Sequence, residues 1–116
     1  MKKNIKVLLS KEADEIYRYL EKQALVSKAE RIMLDSINNK FAFIKANPYY
    51  GNNLSKGLIP EEYKIKYEID NLYRVELPLF WRMLYSLTNK DEIEIIAFVI
   101  DIIDHKYYDK KFGYKR

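Results

Sequence analysis

The sequence has no cysteine and a single histidine, His105. These absences exclude a disulfide framework, a zinc site built on thiolates and any mechanism that needs two histidines. A zinc site around His105 would need carboxylate ligands, and the sequence shows no carboxylates clustered at metal-ligand spacing. We therefore predict neither a metal nor a cofactor. The lack of cysteine is compatible with a reducing compartment, and we expect a cytoplasmic protein.

Glycine, proline and long apolar runs are also scarce, with three residues each of glycine and proline. The longest apolar stretch, residues 95–103, is interrupted by Asp101 and is much shorter than the roughly 20 residues that span a bilayer. The placement of Lys6, Glu12 and Asp14 around the first apolar run is unlike that of a signal peptide. We expect no membrane segment, and a single domain with one core over residues 1–116.

Positive charge is concentrated at the C-terminal end of the chain. The formal net charge is +4, and residues 1–105 carry equal numbers of basic and acidic side chains, so the excess lies in residues 106–116. A basic end with aromatic neighbours suits a polyanionic partner, and a solvated tail that keeps the protein soluble is the alternative. This tail contains one acid, Asp109, and five basic residues: Lys106, Lys110, Lys111, Lys115 and Arg116.

The first half of the chain predicts a strand followed by two helices. Residues 4–9 form the strand, and Ser10 offers a side-chain oxygen to the first amides of a helix. A second helix begins at Ser27, where Glu30 completes a capping-box pattern, and Pro48 stops it. The two helices should form a hairpin. Their apolar faces carry Ala13, Ile16, Tyr17, Leu20, Met33, Leu34, Ile37, Phe41 and Ile44.

The second half predicts a turn-rich segment, a short helix, three strands and a last helix. Residues 47–57 form the longest irregular connection. Residues 59–67 predict a short helix because Pro60 suits a first helical position, and an alternating strand is the other interpretation. The last of the three strands is apolar on both faces and is therefore expected to be central in the sheet. The strands are residues 72–77, 80–88 and 93–102.

This order of elements predicts an α+β fold. We expect the helix hairpin to pack against one face of a mostly antiparallel, four-stranded sheet. A short C-terminal helix follows, with Asp104 as its cap, Phe112 near its end and Gly113 as its stop. The other face of the sheet should then be available for a ligand.

Four short segments resemble the RelE/ParE toxin superfamily, and in particular its RelE-like members. One strand carries a tyrosine–arginine–apolar pattern, the next an arginine–apolar–tyrosine pattern, and aromatic and basic residues close the chain. The order of elements is similar along nearly the whole chain. The segments are Leu72-Tyr73-Arg74-Val75-Glu76-Leu77-Pro78, Trp81-Arg82-Met83-Leu84-Tyr85, Asp104-His105-Lys106-Tyr107-Tyr108-Asp109 and Phe112-Gly113-Tyr114.

The resemblance implies the toxin of a type II toxin–antitoxin system. Such a toxin is an mRNA interferase, a metal-independent endoribonuclease that cuts mRNA in the ribosomal decoding site by activating the 2′-hydroxyl against the neighbouring phosphate. The partners that it implies are mRNA, the ribosome and a cognate antitoxin, with which the toxin forms a hetero-oligomer. The reaction needs a base, an acid for the leaving 5′-oxygen, and cations for the charge that grows on the phosphate.

The resemblance places the catalytic candidates on the middle strands and the last helix: Arg82, His105, Arg74 and Tyr108. Arg82 lies among apolar strand residues, so its guanidinium either pairs with Glu76 or binds the phosphate. Arg74 and Glu76 share one strand face because side chains alternate. Well-known relatives carry a second cation where this chain has Glu76, which is either a general base or merely the partner of Arg74.

His105 is the candidate for proton transfer, because histidine ordinarily titrates near neutral pH. Tyr108 follows it by one helical turn and can share its face. A helix-capping role is the alternative for His105.

Basic and aromatic residues in the predicted short helix and near the end of the chain are candidates for binding single-stranded RNA. Tyr107 and Tyr108 offer rings that can stack on unpaired bases, while lysines follow the phosphates. Because they lie two positions apart, Lys64 and Lys66 cannot face the same way on a helix. The predicted RNA-binding residues are Lys64, Lys66, Lys106, Tyr107 and Lys110.

Two other functions remain open at this point. One is a ParE-like inhibitor that binds DNA gyrase without catalysis, and the other is a catalytically degenerate interaction module of the same fold. His105 and Arg82 favour the nuclease, because a pure binder has no use for a titrating group beside a basic tail. Glu76 departs from the family pattern, and this departure leaves the catalytically degenerate module as an alternative.

Overall fold

The computed structural model describes residues 3–91 and 94–113, apart from the side chain of His105. The basic residues Lys115 and Arg116, and the tyrosine of the last resemblance segment, Tyr114, lie outside the described residues. The fold is α+β, as predicted. In chain order the elements are β1 (Asn4–Leu9), α1 (Lys11–Gln23), α2 (Lys28–Ala46), β2 (Asn52–Leu54), α3 (Glu61–Tyr67), β3 (Leu72–Glu76), β4 (Arg82–Asn89), β5 (Glu94–Ile103) and α4 (His105–Phe112).

The strands form one mixed sheet in the order β1-β5-β4-β3-β2. β1 runs parallel to β5, and the other neighbours are antiparallel. The prediction of four strands is wrong, because β2 adds a fifth within the segment expected to be irregular. Its polar residues Asn52 and Asn53 carry no strand pattern, and they are extended because they pair with the edge of β3. The central position predicted for the last strand is confirmed, since β5 lies between β1 and β4.

The helix hairpin covers one face of the sheet, as predicted. Ser10 accepts a hydrogen bond from the amide of Ala13 at 3.0 Å and donates one of 2.6 Å to the carbonyl of Ile100, the extra residue of a β-bulge in β5. α2 begins beside Ser27 as expected, but the Ser27 hydroxyl contacts the Glu30 carboxylate and makes no capping bond to the backbone. The buried core includes Ala13, Leu20, Met33, Ile37, Ile44, Val75, Met83, Tyr85, Ala97, Val99 and Ile102.

The opposite face is largely covered, and the prediction that it stays available for a ligand is therefore wrong for most of its area. Residues 59–67 do form a helix, α3, and α4 follows with Asp104 as its cap and Gly113 as its stop. Both helices pack here because β3, β4 and β5 present large apolar side chains that would otherwise contact water. This second core includes Ile59, Tyr63, Leu72, Leu84, Ile100, Ile103 and Tyr108.

A tight turn at Pro78–Phe80 joins β3 to β4. Leu79 and Phe80 have φ angles of 57° and 63°, in the left-handed region that disfavours side chains with a Cβ. Both side chains are 72% exposed. The turn delays the start of β4 to Arg82, two residues after the predicted start, and Arg82 Nη1 donates a 2.6 Å hydrogen bond to the Phe80 carbonyl.

Candidate nucleic-acid interface

Two arginines and a glutamate meet where β3 and β4 flank the Pro78–Phe80 turn. Glu76 pairs directly with Arg82 across β3 and β4, and Arg74 lies two residues before Glu76 on the same face. This face lies away from the helix hairpin, as the alternation of side chains predicts. The Glu76 carboxylate lies 3.1 Å from Arg74 Nε and 3.0 Å from Arg82 Nε. Neither Nε–H is aligned for a hydrogen bond, so these contacts are ion pairs.

Tyr108 joins the two arginines to α4. Its hydroxyl accepts a 3.0 Å hydrogen bond from Arg74 Nη1, and the guanidinium carbons of Arg74 and Arg82 lie 5.8 and 5.2 Å from its ring centroid. The ring is buried and stacks on Phe112 with a centroid distance of 4.2 Å. Stacking on an RNA base therefore does not fit Tyr108, and its hydroxyl is the part that contacts Arg74. We call Arg74, Glu76, Arg82 and Tyr108 the arginine cluster.

The arginine cluster carries a net positive charge in partly buried surroundings. The side chains of Arg74 and Arg82 are 25% and 19% exposed, whereas that of Glu76 is 55% exposed. Guanidinium groups keep their charge under these conditions and present several N–H donors in a plane. An anion that approaches from solvent therefore meets Glu76 first, and it must compete with that carboxylate for the two arginines.

The predicted lysines of α3 lie in ion pairs. Lys66 contacts the Glu12 carboxylate of α1 and also lies over the ring of Tyr67, while Lys64 is 3.9 Å from Glu61. The Lys66 ammonium and the Tyr67 hydroxyl hold the pKa of Glu12 at about 2. As predicted for residues two apart on a helix, the two lysines have different surroundings. The contact with Glu12 ties Lys66 to the hairpin and does not bring it into the arginine cluster.

The predicted residues of α4 divide between its two sides. Lys106, Tyr107 and Lys110 are exposed, whereas Tyr108 is buried against the sheet. Lys106 and Lys110 are one helical turn apart and so share a face. His105 is the first residue of α4, and its side chain lies outside the described residues.

Comparisons with known proteins add no identification. No protein-family model, curated protein or solved structure matches this chain. Within residues 3–91 and 94–113, no group of three or more candidate ligand side chains is arranged to hold a metal ion. In the same part of the chain, no helix has the length and apolar character needed to cross a membrane.

A second set of residues near the arginine cluster was not predicted from the sequence. Lys40 of α2 and Tyr50 of the following loop line a groove of about 250 Å³ whose other wall includes Asn52, Arg74 and Glu76. We call it the Lys40 groove. The packing of α2 on the sheet and the pairing of β2 with β3 bring these residues together, and no local pattern predicts that pairing.

Proposed function

We propose that this protein is a RelE-like toxin of the RelE/ParE superfamily, an endoribonuclease that cleaves mRNA. The observation that carries the proposal is the meeting of Arg74, Arg82 and the Tyr108 hydroxyl on the sheet face away from the helix hairpin. Two guanidinium groups held by ion pairs and a buried ring are a fixed set of donors for a phosphate. Their positions agree with the roles that the sequence resemblance implies.

The chemistry requires groups that act on three oxygens of the RNA. The 2′-hydroxyl loses its proton and its oxygen bonds to phosphorus, while the bond from phosphorus to the 5′-oxygen breaks and that oxygen gains a proton. Arg74 and Arg82 stabilise the negative charge that develops on the phosphate. We assign proton transfer to His105, and Glu76 is either a second base or a counter-ion that the phosphate displaces.

The proposal includes the mRNA on the ribosome and a cognate antitoxin as partners. A cleft of about 440 Å³ runs between α1 and α4, and it is lined in part by Ile16, Trp81, Ile102 and Tyr107. The acids Glu12, Glu15, Asp101 and Asp104 also line this cleft, which suits an amphipathic helix of an antitoxin and would give a toxin–antitoxin hetero-oligomer.

One observation favours a second candidate function. Both arginines already contact Glu76, so part of the charge available to a phosphate is compensated in the unbound protein. A ParE-like inhibitor of DNA gyrase, which binds a protein and needs no phosphate site, is consistent with that compensation.

The test is expression of wild type, Arg82→Ala and Arg74→Ala in growing cells, with cleavage sites mapped on translated mRNA by primer extension. Loss of a preorganised charge contact costs on the order of 100-fold in rate, so both variants should lose cleavage and toxicity. Arg18→Ala is the matched control, since Arg18 is paired with Asp14 and Glu21 on the surface of α1. Circular dichroism checks that each variant folds.

Two results would contradict the nuclease. Cleavage at wild-type level by folded Arg82→Ala would remove the arginine cluster from the mechanism. Intact mRNA in wild-type cells, together with inhibited gyrase, would favour the ParE-like function.

A further inference from the structure

An exposed pair of aromatic rings lies on the hairpin side of the sheet edge, close to β2. The centroids of Phe43 and Tyr50 are 5.2 Å apart, and the rings are inclined by 34°. Phe43 is 48% and Tyr50 40% exposed. The Lys40 ammonium lies 5.6 Å from each centroid and donates a 3.2 Å hydrogen bond to the Tyr50 hydroxyl. One cation and two ring surfaces are therefore presented together to solvent.

Lys40 differs from the lysines of the opposite face in its electrostatic surroundings. Lys64, Lys66 and Lys111 each lie within ion-pair distance of a glutamate. For Lys40, no carboxylate among residues 3–91 and 94–113 lies that close. Its charge therefore stays available to an anion that enters the groove.

The loop that carries Tyr50 is held firmly by β4. The Tyr85 hydroxyl donates a 2.7 Å hydrogen bond to the Pro48 carbonyl and accepts one of 3.0 Å from the Gly51 amide. Gly51 is needed for this close approach, because a Cβ there would lie 3.0 Å from the Arg74 carbonyl oxygen. Binding of a ligand to Tyr50 therefore loses little conformational entropy in ordering the loop.

The Lys40 groove connects this ring pair to the arginine cluster. Arg74 and Glu76 belong to both, since they line the groove and also form the ion pairs of the cluster. The side chains of Arg74 and Glu76 lie on the sheet face away from the hairpin, and Lys40 belongs to the hairpin, so an RNA strand that contacts both would cross the edge of β3. A cationic path with stacking surfaces beside it is how single-stranded nucleic acids are usually held.

We propose that the Lys40 groove is a subsite for an unpaired nucleotide next to the one that is cleaved. Its base stacks on the rings of Phe43 and Tyr50, and its phosphate lies beside Lys40. This subsite rests on the proposed ribonuclease function, because the arginine cluster must hold the neighbouring phosphate. Stacking of one base on an aromatic side chain contributes on the order of tenfold in affinity.

The experiment measures binding of fluorescein-labelled 2′-O-methyl oligouridines by fluorescence anisotropy, because a 2′-O-methyl strand cannot be cleaved through its 2′-oxygen. A dinucleotide reaches the arginine cluster alone, whereas a hexanucleotide also fills the groove. Tyr50→Ala and Lys40→Ala should each lower the affinity for the hexanucleotide by about tenfold and leave the affinity for the dinucleotide unchanged. Lys40→Ala should also reduce the slope of log affinity against log salt by about 0.7.

Two control variants separate the subsite from a general effect on the protein. Tyr50→Phe keeps the ring and should bind like wild type. Lys45→Ala removes a lysine from the same helix that lines a separate groove with Lys3 and Ile5, and it should not change the affinity.

The failure of the subsite and the failure of the proposed function give different results. If Tyr50→Ala and Lys40→Ala bind the hexanucleotide like wild type while Arg82→Ala binds it weakly, the subsite is wrong and the arginine cluster stands. If Tyr50→Ala lowers the affinity for the dinucleotide as much as that for the hexanucleotide, the ring acts through the arginine cluster and the subsite is also wrong. If wild type binds neither oligonucleotide, the ribonuclease proposal fails and the subsite fails with it.

Discussion

Replacing Glu76 with glutamine removes the negative charge that contacts both arginines of the cluster, and we expect RNA binding to become tighter. The substitution keeps the size of the side chain, which is more than half exposed, so folding should be unaffected. A phosphate bound on Arg74 and Arg82 would lie on the order of 6 Å from this carboxylate, where water-like screening leaves about 0.7 kcal/mol of repulsion. That energy corresponds to about a threefold gain in affinity.

Glu94→Gln is a closely matched control for this substitution. Glu94 also bridges two cations, Lys6 at 3.7 Å and Lys90 at 3.4 Å, and its replacement changes the net charge of the protein by the same amount. It begins β5, whereas Arg82 pairs with Ile103 at the other end of that strand, about 30 Å away. The assay is anisotropy with the uncleavable hexanucleotide at low salt. If Glu76→Gln binds no more tightly than Glu94→Gln, the arginine cluster does not hold a phosphate.

Cleavage by the same variant distinguishes the two roles of Glu76. If the carboxylate is a general base, Glu76→Gln binds more tightly but cleaves on the order of 100-fold more slowly. If it is only a counter-ion, cleavage at low RNA concentration rises together with affinity.

Two further predictions concern the stability of the fold. Tyr85→Phe should lower the free energy of unfolding by about 1–3 kcal/mol in urea denaturation, because the Pro48 carbonyl and the Gly51 amide lose a buried partner; an unchanged midpoint would contradict this. The pKa of Glu12 is lowered from 4.5 to about 2 in the folded protein, so its contribution to stability is complete above pH 4.5 and is lost as the pH falls towards 2. Wild type should therefore lose stability with falling pH more steeply than Glu12→Gln over that window at low salt, and equal slopes would show that the contact with Lys66 has no effect.

Much of the fold was predictable because its signals are local. Ser10 and the apolar stripe behind it define α1 within a few residues, and the apolar run of β5 places that strand inside the sheet. β2 was not predictable, because Asn52 and Asn53 become a strand only by pairing with residues some twenty positions later. The covering of the second face by α4 likewise depends on tertiary packing, in which Tyr108 fills space beside Leu84 and Ile103.

The candidate site shows the same division between local and distant signals. The alternation of side chains placed Arg74 and Glu76 on one face, and the pairing of adjacent strands brought Arg82 beside them. The ion pair of Lys66 with Glu12 joins residues far apart in sequence. The sequence therefore suggested a lysine available to an RNA phosphate, whereas the folded protein pairs it with a carboxylate. Lys40 and Tyr50 were missed for the same reason, since the groove between them exists only in the folded protein.

The central claim is most directly tested by the chemistry of the RNA ends that the purified protein produces from mRNA on ribosomes. Attack by the 2′-oxygen, with proton transfer by the protein's own side chains, predicts a 2′,3′-cyclic phosphate on one fragment and a 5′-hydroxyl on the other. Both ends should form in the presence of EDTA and should be absent with Arg82→Ala. Fragments that carry a 3′-hydroxyl and a 5′-phosphate, or intact mRNA after incubation with folded wild type, would contradict the account.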